Sequence, residues 1–221
     1  MSFLYYSMPP DTKVFEETEL VRHVNKCFSN LETKLPESVF SFEGYSGRFT
    51  RIFYNNICEL KFENRPTEYL EVGVWKGSSF VSSMFNNELH GTCVDNWSEF
   101  GGPREEFLKN LEKFEIKNYT FIDGDFFNTT FDKKFDIYLY DGCHEESAHS
   151  KAIEHVWPYL ADEAIIIIDD WNWECVRNGT YASLPMDQVA SVHEITHSGG
   201  FQPDCFWNGI GVFVIKKKKP M

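Results

Sequence analysis

Hydrophobic positions change their period along this chain, and the change divides it. Between Val14 and Phe28, residues Val14, Phe15, Leu20, Val21, Val24 and Phe28 recur loosely at helical spacing. A clearer helix is predicted from Gly47 to Phe62, where Phe49, Ile52, Phe53, Ile57 and Leu60 fall three and four residues apart. Asn64, Arg65 and Pro66 end it. Beyond Pro66, short apolar runs alternate with amphipathic segments. Strands are predicted at Tyr69–Val74, His90–Val94, Tyr119–Ile122, Asp136–Tyr140 and Ala164–Ile168, and helices at Ser78–Phe85, Pro103–Phe114 and Ser147–Leu160. The run ending at Ile168 has no polar alternation, as in a strand buried on both faces. Strand–helix alternation of this kind predicts a mostly parallel sheet with helices on both sides.

The end of the chain departs from the alternation. Ser191–Thr196 and Gly209–Ile215 read as two strands with no helix-length segment between them. Without a crossover they must pair antiparallel or not at all. The fold expected is therefore α/β and Rossmann-like, a mostly parallel seven-stranded sheet ending in an antiparallel β-hairpin. No repeat, low-complexity tract or linker interrupts it. Residues 1–45 are set apart as an N-terminal helical extension, and 46–221 as a single domain.

Composition narrows the class. The 221 residues are 42% hydrophobic, with 21 Phe and 10 Tyr, which excludes a disordered chain. Lys and Arg number 21 against 34 Asp and Glu, for a formal charge of -13, and a general nucleic-acid binder needs a basic face instead. The one basic run, Lys216 to Lys219, reads as a solvated tail. No stretch approaches the roughly 20 apolar residues of a membrane span, and MSFLYYSMPPDTK does not read as a signal peptide. Cys27, Cys58, Cys93, Cys143, Cys175 and Cys205 lack CxxC spacing, as expected of reduced, partly buried thiols. A cytoplasmic enzyme or binding protein is the class implied.

Candidate chemistry gathers where the strands end. Glu71 in YLEVGVWKGSS, Asp95 in CVDNW, Asp141 in IYLYDGCH and the pair Asp169–Asp170 in AIIIIDDW each finish or nearly finish a strand. In an open α/β sheet those ends share one edge, outside which ligands bind. Glu71, Gly73, Gly77 and Ser78 form a strand–turn–helix in which Gly73 permits a sharp turn and Gly77 a close approach to the main chain. A pyrophosphate cradle would be written G-x-G-x-x-G, but Trp75 replaces its middle glycine. An acid on the first strand suits a cationic ligand; a purely structural turn is the alternative. Asp95 stands where such folds place an acid that binds a ribose diol. Asp125 and Phe126, after the third strand, are matched to the amine edge and face of adenine, or equally to an exposed turn with its aromatics in the core.

Asp141, Asp169 and Asp170 would converge at neighbouring strand ends. Three carboxylates without Arg or Lys repel, and a divalent cation neutralises them. All-oxygen ligands favour Mg²⁺, Mn²⁺ or Ca²⁺ over zinc. His144 would sit beside the metal as a general base. Helix capping is the alternative for Asp169 and Asp170. Trp171 and Trp173 suit an acceptor wall or the core equally, and the remaining histidines read as surface or packing residues.

YLEVGVWKGSS, CVDNW, YDGCHEE and IIIIDDWNW, in that order, resemble the class I S-adenosylmethionine-dependent methyltransferases. The chain is most similar to the metal-dependent sugar O-methyltransferases of macrolide and aminocoumarin biosynthesis and to related viral and bacterial enzymes, over about Ser46 to the C-terminus. The resemblance implies that Glu71, Gly73, Gly77 and Ser78 contact the methionine part of S-adenosyl-L-methionine and that Asp95 binds its ribose. It implies that Asp141, Asp169 and Asp170 hold Mg²⁺ (or Mn²⁺), and that His144 deprotonates an acceptor hydroxyl, a role some relatives give to an aspartate. The partner expected is a small sugar or glycan, with no nucleic acid and no membrane, and self-association into a homo-oligomer is left open. A catechol-like diol, a nicotinamide-dependent oxidoreductase and a non-catalytic nucleoside-binding protein are the alternatives.

Overall fold

In the computed structural model, residues 10–196 and 206–218 are described. The chain forms, in order, β1 (Asp11–Val14), α1 (Glu19–Ser29), α2 (Glu37–Ser41), α3 (Arg48–Ile57), β2 (Thr67–Val72), α4 (Ser78–Met84), β3 (Leu89–Asp95), α5 (Arg104–Lys113) and β4 (Tyr119–Asp123). It continues with β5 (Phe135–Tyr140), α6 (Glu146–Val156), β6 (Leu160–Asp169), α7 (Glu174–Ser183), β7 (Val189–Ile195) and β8 (Ile210–Lys216). One sheet holds all the described strands, in the order β1-β7-β8-β6-β5-β2-β3-β4. Strands β2 to β6 pair parallel, and β7 and β8 pair antiparallel with each other, with β8 lying against β6. This is the α/β architecture expected, closed by the antiparallel hairpin.

The sheet has eight strands where seven were expected. The additional one is β1, which pairs antiparallel with β7. The loose helical pattern beginning at Val14 is helical only from Leu20 onward, because Val14 ends this exposed edge strand and Phe15 lies in the bend after it. The helix itself starts at Glu19, where the Thr18 side chain accepts from the Val21 amide at 3.2 Å and caps the first turn. Helix α6 stops at Val156 rather than Leu160, because Pro158 converts Trp157–Tyr159 to a short 3-10 turn and Leu160 already belongs to β6.

Side-chain alternation along the central strands separates two cores. Tyr69, Ile137, Leu139, Ile165 and Ile167 face one side, under α1, α3, α4 and α5; Leu70, Tyr138, Tyr140, Ile166 and Ile168 face the other, under α6 and α7. Every residue of β5 is buried, as is Ala164–Ile168 of β6. At about 1.5–3 kcal/mol per fully buried large aliphatic or aromatic side chain, these two strands anchor the sheet. Their C-terminal ends, with those of β2 and β3, carry the candidate residues. The last lysines are engaged rather than merely solvated: Lys216 pairs with Glu16, Lys217 Nζ donates to the carbonyls of Trp157 and Leu160, and Lys218 meets Asp187 at 2.5 Å. Lys219, Cys205 and His197 lie outside the described residues.

Candidate active site

Two turns abut at the sheet edge, and glycine is required for the contact. The Gly73 amide donates to Val94 O at 3.0 Å and the Asp141 amide to Val72 O at 2.9 Å, so the chains leaving β2 and β5 stay side by side. Gly73 is left-handed at φ +84°, and a Cβ there would lie 1.9 Å from the Asp141 carbonyl oxygen. Gly77 is also left-handed, at φ +87°, where α4 begins.

Beside these turns lies a cavity of about 440 Å³, within the usual range for small-molecule sites. Gly73, Asp95, Asp125, Phe126, Asp141, His144, Asp169 and Asp170 all line it. Asp95 is oriented by three backbone amides, those of Val74 (2.9 Å), Trp75 (3.1 Å) and Trp97 (2.8 Å). A carboxylate offers about four lone-pair sites, which leaves room for a hydroxyl. Asp125 accepts from the Phe127 amide and the Asn128 side chain, while Phe126 is largely core and turns only part of its ring to the cavity.

Glu71, Gly77 and Ser78 do not line the cavity. Glu71 is 0% exposed and lies behind the turn, accepting from Ser79 Oγ at 2.5 Å and from the Tyr69 hydroxyl. Burial pushes its carboxyl up to about 8, against the opposing effect of those two hydrogen bonds. Ser78 meets Ser46 Oγ at 3.1 Å, under the segment that follows α2.

The acids of β5 and β6 are sorted by their partners. His144 Nε2 lies 2.6 Å from Asp170 Oδ2 and 3.9 Å from Asp141 Oδ1. Among the described residues, Asp141, His144 and Asp170 each offer a ligand atom within 4.8 Å of the others, the spacing of a metal site. Asp169 is held apart: Tyr54 donates to its Oδ2 at 3.1 Å and the Asp170 amide to its Oδ1 at 2.9 Å. Burial raises the Asp141 carboxyl to about 6. Burial, then the neighbouring charges of Asp141 and Asp170, raise Asp169 well above the usual range. Burial opposes a proton on His144, but its contacts with Asp141 and Asp170 prevail and raise it to about 10. The cluster therefore sets one imidazolium beside Asp141 and Asp170, with Asp169 driven toward its neutral form.

Two contributors, and the backbone geometry of a third residue, escape sequence reading. Tyr54 reaches Asp169 from α3, and the Asn208 amide donates to Asp170 Oδ1 from the turn before β8. Asp170 itself is left-handed at φ 55°. A positive φ on a non-glycine residue marks a geometry that its surroundings impose. Trp171 and Trp173 divide the two roles open to them: Trp171 is fully buried and donates to Glu194, whereas Trp173 is 42% exposed with its ring 4.7 Å from His144.

Residues 70–171, the stretch that carries Glu71 and the cavity acids Asp95, Asp125, Asp141, Asp169 and Asp170, match the family model described as a methyltransferase domain. No curated protein matches the chain in sequence. Solved structures share its fold at low identity. Podospora anserina methyltransferase PaMTH1, bound to SAH, is 14% identical at a TM-score of 0.54, covering 90% of this chain and 88% of that one. Cofactor-bound Rv0187 from MTB is 11% identical at 0.56, with the same coverage of 90% and 88%. Precorrin-6y C5,15-methyltransferase from Geobacter metallireducens is 13% identical at 0.55, covering 75% and 88%. The matched segment spans the Gly73 turn, the cavity acids and the parallel strands that present them, and the fold as a whole is the Rossmann-like α/β fold of these class I methyltransferase structures.

Proposed function

We propose that this protein transfers a methyl group from S-adenosyl-L-methionine to a hydroxyl of a small sugar or sugar-containing acceptor, with a divalent cation bound beside the reacting oxygen. The observation that carries the reading is the joining of two half-sites in one cavity: Asp95 and the Gly73 turn on one side, and Asp141, His144 and Asp170 on the other. Their chemistry fits both groups. A sulfonium nucleoside meets acids and backbone amides in a cavity whose described lining has no Lys or Arg. Carboxylates within ligand distance of one another match Mg²⁺ or Mn²⁺.

In this reading Asp95 binds the ribose, Asp125 and Phe126 bound the adenine, and Glu71 acts behind the turn through Ser79. Asp141 and Asp170 would hold the cation, with Asp169 alongside. When bound, the cation lowers the pKa of a coordinated hydroxyl. A sulfonium methyl is electrophilic already, so the protein's main task is to align the acceptor oxygen for in-line attack. His144 accepts the hydroxyl proton at Nε2, worth about 10²- to 10⁴-fold. It can do so only as neutral imidazole, and the ion pair with Asp170 keeps it protonated. Neutralising the carboxylates is what frees it.

Thermal stability in the presence of S-adenosylhomocysteine and, separately, NAD distinguishes this reading from an oxidoreductase, because a ligand of the native state raises Tm. The homologue should raise Tm and NAD should not. Transfer of radiolabelled methyl to a panel of sugars and diols should then require added Mg²⁺. Full activity in excess EDTA would refute the metal, and a response to NAD alone would refute the methyl transfer.

A further inference from the structure

The outer wall of the cavity is aromatic. Tyr45, on the segment after α2, stacks on Trp75 with ring centroids 4.5 Å apart and planes at 26°. Trp207 approaches the Tyr45 ring at 5.4 Å and Phe100 at 6.2 Å. All four line the cavity, yet Tyr45 stays 57% and Phe100 64% exposed. Clustered aromatic surface left open to water marks a binding surface. This bay is continuous with the reactive cluster, since Trp207 precedes Asn208, whose amide binds Asp170. It is also held in place. The buried Arg51 donates to the carbonyls of Val39 (2.5 Å), Phe42 (3.2 Å) and Ser46 (3.0 Å), on both sides of Tyr45.

Charge decides what the bay can receive. Asp95, Glu99, Asp125, Asp141, Asp169 and Asp170 line the cavity, and among the described residues no Lys or Arg does. Outside the described residues the sequence has one Lys or Arg, Lys219 near the C-terminus. Four of the six acids accept hydrogen bonds and Asp141 has His144 3.9 Å away; Glu99, next to Phe100, has no side-chain partner among the described residues. Aromatic faces attract ammonium groups, and this wall already receives one. Lys76 Nζ lies 4.8 Å from the Trp75 ring centre, its charge balanced by Glu43 and Glu106 at 2.7 Å each.

We propose that the acceptor is a cation: a hydroxyl-bearing molecule whose alkylammonium group rests against Tyr45, Phe100 and Trp207 with Glu99 as counter-charge, while its hydroxyl reaches the Asp141–His144–Asp170 cluster. The proposal rests on the methyl-transfer reading and narrows its acceptor from sugars in general to amine-bearing ones. A phosphate ester would meet six acidic side chains and, among the described lining, no Lys or Arg, His144 being already paired with Asp170.

The test is calorimetric titration of the full chain, saturated with S-adenosylhomocysteine, with choline and with its uncharged isostere 3,3-dimethylbutan-1-ol. Choline should bind roughly tenfold more tightly, the scale of a desolvated cation–π contact. Glu99→Gln and Tyr45→Leu, both at exposed side chains, should each remove most of that preference while leaving homologue affinity intact. Equal affinity for the two probes, no choline binding at millimolar concentration, or a preference that survives both substitutions would overturn the proposal. A protein that prefers choline but never binds the homologue refutes methyl transfer alone. One that methylates neutral sugars without preferring choline refutes only the cationic acceptor.

Discussion

Replacing Gly73 with alanine tests whether the abutting turns hold the site together. The new Cβ would stand 1.9 Å from the Asp141 carbonyl oxygen, 2.5 Å from its carbon and 3.1 Å from the Gly142 amide nitrogen. Carbon–oxygen contacts are normally no closer than about 3.3 Å, so one turn must retreat by roughly an ångström. A left-handed φ of +84° costs a residue with a Cβ about 1–2 kcal/mol more. Retreat also strains the Gly73–Val94 and Asp141–Val72 hydrogen bonds, each worth about 1 kcal/mol. The sum, about 3–4 kcal/mol, corresponds to a fall in Tm of roughly 6–15 °C for a domain of this size. Moving the Asp141 carboxylate by that distance should also cost turnover about 10²-fold. Urea denaturation and methyl-transfer rates measure both effects. Gly124→Ala is the control for the midpoint, because a Cβ there meets nothing within 4 Å, and the unsubstituted protein is the control for the rate, because Gly124 lines the cavity. A midpoint equal to that of Gly124→Ala and a rate equal to that of the unsubstituted protein would refute the argument.

Three further substitutions probe other parts of the site. The Glu71 carboxyl, at about 8 in the fold against 4.5 ordinarily, favours folding fully below the lower value and loses that contribution as pH rises to the higher. Glu71→Gln should therefore flatten a decline in stability of up to about 1.4 kcal/mol per pH unit; urea midpoints that fall equally in both proteins would contradict this. Arg51→Met leaves the carbonyls of Val39, Phe42 and Ser46 without their donor. It should cost about 2–4 kcal/mol and speed amide exchange over residues 39–46, and unchanged exchange there would count against the clamp. Asp170→Asn should weaken the response to Mg²⁺ by roughly 10- to 100-fold while S-adenosylhomocysteine still binds. A normal Mg²⁺ titration would remove Asp170 from the cation site.

What was legible in the sequence followed short-range chemistry. Apolar runs marked the central strands within a residue or two, except that β6 begins at Leu160, four residues before the expected Ala164, and the acids beside them marked the cavity edge, because strand direction alone places those ends together. Helix α7 was not legible: it buries one large apolar residue, Val176, with Gly179 and Thr180, too few for an apolar stripe, and a Cβ on Gly179 would lie 2.2 Å from Glu146 O. Strand β1 was hidden because its four residues are all exposed and only its pairing with β7 makes it a strand. The burial of Glu71 and the capture of Asp169 by Tyr54 depend on side chains from other elements. So does the aromatic bay, whose members are scattered from Tyr45 to Trp207. No local pattern announces such meetings.

The position of β8 between β6 and β7 fixes when the site can exist during synthesis. Strand β6, which ends in Asp169, has its second edge open until Ile210–Lys216 inserts beside it, and that segment leaves the ribosome roughly forty residues later. Asn208, the donor to Asp170, arrives with it. A chain stopped before Asn208 would display its acids without the neighbour that orients them, so cation binding by a series of stalled nascent chains should appear abruptly with the final strand.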